Sequence, residues 1–470
     1  MGRIRTAACS ALSPSFGPCS SEVSQVSPRT QAVPLYTKAI PEEIVKAFGA
    51  KSTEGLNGTD PEFRKLVKFH CKLPAYFGVV MIQRIQECRK IAADLVFDGQ
   101  LSSDCLDYIP GYCESTSSSR SIQQGTHKIG LRDFLRFWTP EVRNQNRLSK
   151  FLRIVIPPTR EGILALEKDD PIPQGSSLAK GLNLRFFPQE LHQEHLEPLV
   201  QALVDRHPDL VSLKHDGNQR RRYVRTVLTS LFFRCTGNNS SSMPLKRVIE
   251  SNLSSLFFRC ATCSLMKIPA FNLGFFDYVN EIFERCVVSE QKRYLQGKNE
   301  FRDNAAVAAE SCVCIESLKL ECIVNVCQPI LFERLYLHSQ RVNERNRDGD
   351  IQYPRALSFE DLIRFILAVE DRMMSFSVCY WFRLLDLDDD GYLNRHDLEG
   401  VYQLKLHKYE MREGGKPRHF HSIVSLVLDV LNCRLLDGAG EFQISSMDIR
   451  RSCGGSTMFD LFVHPGKMLL

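Results

Sequence analysis

The stretch YWFRLLDLDDDGYLNRHDLEGVY, Tyr380 to Tyr402, sets five aspartates and a glycine between two apolar stripes, four of the acids within Asp386–Gly391. Val378, Trp381, Phe382 and Leu385 repeat at i, i+3, i+4 and i+7, and Leu398, Val401 and Tyr402 carry a second stripe beyond the acids. A helix–loop–helix calcium loop of twelve residues takes oxygen donors at positions 1, 3, 5, 7, 9 and 12, with glycine at 6 for the sharp turn. Counted from Asp386, these are Asp386, Asp388, Asp390, the backbone carbonyl of Tyr392, Asn394 and Asp397, with Gly391 in the turn and apolar Leu393 at position 8. Every donor position holds oxygen, so the loop is expected to bind an ion.

The last ligand departs from the pattern. Glutamate at position 12 reaches calcium with both carboxylate oxygens, and Asp397 is one methylene shorter. The expected consequence is weaker Ca2+ binding, or a loop that tolerates the smaller, six-coordinate Mg2+. One such unit cannot bury its apolar face alone, so a partner is expected. Leu357, Ser358 and Asp361 fit positions 8, 9 and 12 of a preceding loop, which makes that segment the candidate partner. Its earlier positions hold Gln352, Pro354 and Arg355, so it should carry no ion. A similar remnant follows, with Ile444 and Asp448 at positions 8 and 12 but Ala439 and Phe442 at 3 and 6.

The rest of the 470 residues has the same helical texture. Helical periodicity starts at Pro61 and recurs at Ile129–Trp138, Asn146–Ile156, Phe186–Leu213, Phe275–Phe283, Leu357–Arg372 and Phe420–Leu431. Residues 288–325 read as an insert, and alternating strand patterns are scarce. SLFFRC occurs at Ser230 and again at Ser255, as expected of two similar helix ends. The sequence divides into a flexible tail (1–60), an N-terminal helical region of degenerate units (61–265), a degenerate region with the insert (266–345) and a C-terminal ion-loop domain (346–470).

Composition excludes several classes. Hydrophobic content of 43% with 24% charged residues suits a globular chain, and a net charge of +5 is too small to argue for nucleic acid. The basic run Gln219–Arg225 heads an apolar helix and reads as a solvated helix start. No apolar run approaches the ~18 residues of a membrane span. The 17 cysteines follow no disulfide or zinc framework, which suits reduced thiols in the cytoplasm or nucleus, and the expected location is cytoplasmic, nuclear or cytoskeleton-associated. Gly2 and Thr6 fit the loose myristoylation pattern, and the Arg- and Ser-containing first forty residues resemble a transit peptide. A phosphate loop, a His-Glu-x-x-His pair and a Gly-x-Ser-x-Gly elbow are all missing, so no catalytic residue is assigned.

Several segments then occur together in a familiar order: FHCKLPAYFGVVMIQRI (Phe69–Ile85), IGLRDFLRFW, LNLRFFPQELHQEHLEPLVQALVDRHPDLVSLK (Leu182–Lys214) and the run from Arg221 to Leu253. LSFEDLIRFILAVEDR, the opening stretch and EFQISSMDIRR (Glu441–Arg451) follow. This order resembles the B'' (B-double-prime) regulatory subunits of protein phosphatase 2A, over roughly residues 65–465. The resemblance implies a mostly α, elongated protein of EF-hand-like helix–loop–helix units, one with a complete ion loop. It also implies docking on the phosphatase scaffold and catalytic subunits, presentation of phosphoprotein substrates, and no catalysis by this chain. The family's ion ligands carry over to Asp386, Asp388, Asp390, Tyr392, Asn394 and Asp397 alone. Its earlier ion loop has no counterpart in Val287–Asn304, which lacks aspartates at ligand spacing. The alternative reading is an EF-hand scaffold, cytoskeleton-associated, that acts independently of the phosphatase.

Overall fold

Four short backbone pairings recur among the described residues of the computed structural model, each between loop segments distant in sequence. The structure describes residues 40–49, 55–100, 128–138, 142–143, 145–157, 160, 189–237, 240–296, 312–314, 331, 334–335, 356–372, 374–410, 419–433, 441–452 and 454–463. Strands β1 (Leu56–Asn57) and β2 (Lys128–Ile129) are antiparallel, as are β3 (Glu190–His192) with β4 (Ser242–Pro244) and β5 (Cys312–Cys314) with β6 (Ala356–Ser358). The fourth pairing is a single bridge, Leu393 with Ile444. The central residues of these pairings, Leu56, Ile129, Leu191, Met243, Leu357, Leu393 and Ile444, are all buried. Each therefore supplies one main-chain link and one core side chain.

The helices follow the apolar periodicity. They are α1 (Glu42–Gly49), α2 (Pro61–Phe69), α3 (Phe77–Phe97), α4 (Leu131–Trp138), α5 (Arg147–Val155), α6 (Gln193–Arg206), α7 (Gly217–Thr236) and α8 (Leu245–Glu250). Then come α9 (Leu253–Cys260), α10 (Leu273–Gln296), α11 (Phe359–Glu370), α12 (Ser375–Leu385), α13 (Arg395–Glu410), α14 (Phe420–Leu431), α15 (Ser446–Arg451) and α16 (Gly455–Val463). Both SLFFRC words close helices, α7 and α9.

Helix α7 ties the second pair to the C-terminal core. Its start is fixed by Asp216, whose side chain accepts from the Asn218 and Gln219 amides, and Gly237 ends it at φ +70°. It packs against α6 and α11. Phe233 stacks edge-on against Phe376 and Tyr380 at 5.2 and 5.7 Å, joining the core of Leu362, Trp381, Leu385, Leu393, Ile423 and Phe459. The basic run at its head makes ion pairs: Arg220 with Asp205, Arg222 with Glu284, and Arg225 with Glu360. It is a solvated and paired helix start, as its composition implied.

Three readings of the sequence change. Residues 42–49 and 56–57 are not part of a tail: α1 buries Ile44 and Phe48, and β1 buries Leu56. A single buried pair four residues apart in an eight-residue helix, with Val45 exposed, is too little periodicity to stand out. The partner of the ion loop is the unit that follows it, not the one before. Leu393 and Ile444 exchange amide–carbonyl bonds of 2.9 Å in both directions, while Leu357 pairs with Val313. The segment taken as an insert thus supplies, through Cys312–Cys314, the partner strand of the third pair. The tail with Gly2 and the polar run Cys113–His127 lie outside the described residues. No described helix is long and apolar enough to cross a membrane.

Candidate metal centre

One local device starts most of the second helices in these units. The residue after the buried apolar position donates its amide to the side chain three residues on. Asn57 donates to Asp60 at 2.8 Å, and Gly130 to Asp133, His192 to His195 and Ser358 to Asp361, each at 3.2 Å. Asn394 to Asp397 and Ser445 to Asp448 follow at 2.9 Å. At three sites the bond is returned: Ser358 Oγ accepts from Asp361 N–H at 3.1 Å, Asn394 Oδ1 from Asp397 N–H at 3.2 Å, and Ser445 Oγ from Asp448 N–H at 3.3 Å. These are capping boxes, which satisfy two otherwise orphaned helix amides at once. An aspartate at loop position 12 is thus a helix-start residue across the molecule.

The loop from Asp386 adds a cluster of acids to that frame. Oxygens of Asp386, Asp388 and Asp390 lie within 4.8 Å of one another. Asp386 is only 5% exposed, while Asp388 and Asp390 face solvent. Loop amides point inward: Asp390 and Gly391 donate to Asp386 at 3.2 and 3.0 Å, and Tyr392 donates to Asp390 at 2.7 Å. The turn needs a left-handed residue at Gly391, φ +86°, where a side chain would be strained. Asn394 reaches Asp388 through its side-chain amide at 3.5 Å.

Asp397 is fully buried and stands apart from the acid cluster. Its Oδ2 takes the Asn394 amide, and its Oδ1 takes the Leu387 amide at 2.8 Å. It thereby ties loop position 2 to the start of α13. The two amides use two of the roughly four lone-pair sites on a carboxylate, so ligand capacity remains.

Electrostatics favours a cation here. Burial raises the Asp386 carboxyl above its ordinary value; the Gly391 amide opposes this, and Asp397, Asp390 and Asp389 add to it. Burial also raises Asp397, against the amides of Asn394 and Leu387, with Asp388 and Asp390 contributing. Crowded carboxylates resist full ionisation, and a divalent cation removes that penalty. The donors are carboxylate, carbonyl and amide oxygens, the set a hard cation takes. Among the described residues no other cluster of three acidic, His or Cys side chains has this spacing.

The sequence model of the EF-hand domain matches residues 188–258. That span holds β3, α6, α7, β4 and α8, so the match falls on the second pair and not on the acidic loop. Among curated proteins, the B'' subunit alpha of protein phosphatase 2A from Homo sapiens is 24% identical over 285 residues, 59% of this chain and 22% of that protein. The B'' subunit delta from Mus musculus is 27% identical over 281 residues, 59% of this chain and 51% of its own. The chain is similar in sequence to B'' regulatory subunits. The Homo sapiens B'' subunit beta adds 22% identity over 300 residues, 62% of this chain and 46% of that protein. The chain spans about half the length, or less, of these B'' relatives. A solved PP2A PR70 holoenzyme chain aligns with a TM-score of 0.49 at 22% identity, covering 63% of this chain and 99% of that one.

Proposed function

We propose that this chain is a non-catalytic regulatory subunit of the B'' type. It binds the scaffold and catalytic subunits of protein phosphatase 2A and directs the choice of phosphoprotein substrate. The observation that carries this reading is the similarity to B'' subunits over 59–62% of the chain. A protein of paired helix–loop–helix units, with broad helical surfaces, suits a docking role. Under this reading the protein acts in the cytoplasm or nucleus, or on the cytoskeleton.

The test is affinity purification of the full chain under gentle lysis, with and without calcium. Recovery of the scaffold and catalytic subunits in stoichiometric amounts is the expected result. Their absence in both conditions overturns the reading and favours an EF-hand scaffold independent of the phosphatase.

The same reading gives the Asp386 loop a Ca2+ ion, held by Asp386, Asp388, Asp390, the Tyr392 carbonyl, Asn394 and Asp397. The ion supplies charge that holds the loop and its two helices in one arrangement. Calorimetry on the full chain should find Ca2+ uptake that Asp386→Ala removes. Competition with Mg2+ decides which ion the short Asp397 favours.

A further inference from the structure

Arg334 lies far from the acidic loop in sequence and touches its outer side. Leu331 and Leu335, four residues apart, are buried in the C-terminal core and anchor the turn that carries it. Its guanidinium donates to the Arg383 carbonyl at 3.3 Å, to the Leu387 carbonyl at 3.2 Å and to the Asp386 carbonyl. It also pairs with Asp389 at 2.9 Å. Arg383 and Asp386 stand at the C-terminal end of α12, where carbonyls lack helical partners and the helix dipole favours a cation.

We propose that Arg334 is the staple that holds the ion loop ready before an ion arrives, and so sets its affinity. The inference rests on the loop assignment above. Three facts lead to it. Two of the three bonded carbonyls, those of Asp386 and Leu387, belong to loop positions 1 and 2, the backbone that orients Asp386. The acid that Arg334 neutralises is Asp389, the one aspartate between Asp386 and Asp390 that the ligand pattern does not use. Asp389 also sits at φ +58°, a left-handed position that few residues other than glycine, asparagine and aspartate adopt. Pairing its carboxylate outward holds that conformation and keeps the fourth charge off the cluster of Asp386, Asp388 and Asp390.

A planar fork with several donors can span carbonyls and a carboxylate together, and a lysine ammonium on its flexible stem cannot replace it geometrically. Arg334→Lys therefore tests geometry at constant charge, while Arg334→Gln removes both. Two readouts on the full chain separate this inference from the ion assignment. The first is amide exchange of residues 386–392 in EDTA: both variants should exchange at least about threefold faster there, with α6 and α7 unchanged. The second is Ca2+ titration: both variants should bind about three- to tenfold more weakly than the parent protein.

Unchanged exchange in both variants overturns the staple, whatever the ion does. Faster exchange with equal or tighter Ca2+ binding overturns its role in affinity. If the parent protein takes up no Ca2+, the ion assignment itself fails and the affinity role fails with it, and the exchange result alone then decides the staple.

Discussion

The second and fourth pairs have the same frame and different contents. Leu191 and Met243 form the buried centre of one, as Leu393 and Ile444 do in the other. A capping residue follows in each, His195 in one and Asp397 in the other. The fourth pair adds clustered carboxylates at loop positions 1, 3 and 5. In the second, His195 and Arg247 fall at the last ligand position, counted from Leu191 and Met243, and neither suits a calcium ion. The EF-hand match falls on the pair without the acid cluster. The comparison teaches that the fold is written in buried apolar pairs and helix starts, and that ion ligands are an addition to it.

The strongest way to break that comparison is Leu191→Ala. The side chain is fully buried, so its loss should cost about 2–5 kcal/mol in chemical denaturation, although no ion site is near. A cost below about 1 kcal/mol would mean that the second pair does not hold the fold. Asp386→Ala comes next: Ca2+ affinity should fall on the order of 100-fold, about 2.7 kcal/mol, while circular dichroism stays that of the parent. Loss of helix content in EDTA would instead make Asp386 part of the frame.

His195 sharpens the contrast through pH. Burial lowers its pKa to about 4, with His192 adding to the effect, and its Nδ1 already accepts the His192 amide. The folded protein keeps it neutral while the unfolded chain protonates near 6.5, so stability is full above 6.5 and declines as pH falls toward 4. The loss should reach at most about 2 kcal/mol at pH 5, and His195→Gln should flatten it. Ser445→Ala removes one capping hydroxyl beside the ion loop and should cost about 0.5–2 kcal/mol, readable as a lower melting temperature. The smallest effect is that of Asp397→Glu. The longer side chain should favour Ca2+ over Mg2+ by several-fold and, in EDTA, lower stability by about 1 kcal/mol, because Asp397 fills a closed slot between two amides.

Helices were largely legible because periodicity is local: Asn146–Ile156 and Phe420–Leu431 gave α5 and α14 within a residue or two. The acidic loop was legible because its spacing is fixed within twelve residues. Pairing was not. Every candidate position 8 is apolar, so Leu357, Leu393 and Ile444 look interchangeable, and only three-dimensional adjacency chooses among them. The second role of Asp397, as a capping acid, was hidden by counting it only as a ligand. Arg334 offered no local pattern, since a lone arginine beside Leu335 is unremarkable until the loop it touches is seen.

The repeated helix-start acid also bears on how such a molecule can change. A side chain at position 12 satisfies backbone amides in the second pair, where His195 does so without any carboxylate. Ligands at the first positions of a loop can therefore be lost or regained without undoing the start of the helix that follows it. Ion sites in this architecture are replaceable parts, and engineering a new one in the third pair needs acidic donors in place of Gln352 and Pro354 and a glycine in place of Arg355, since Ser358 and Asp361 already start the following helix.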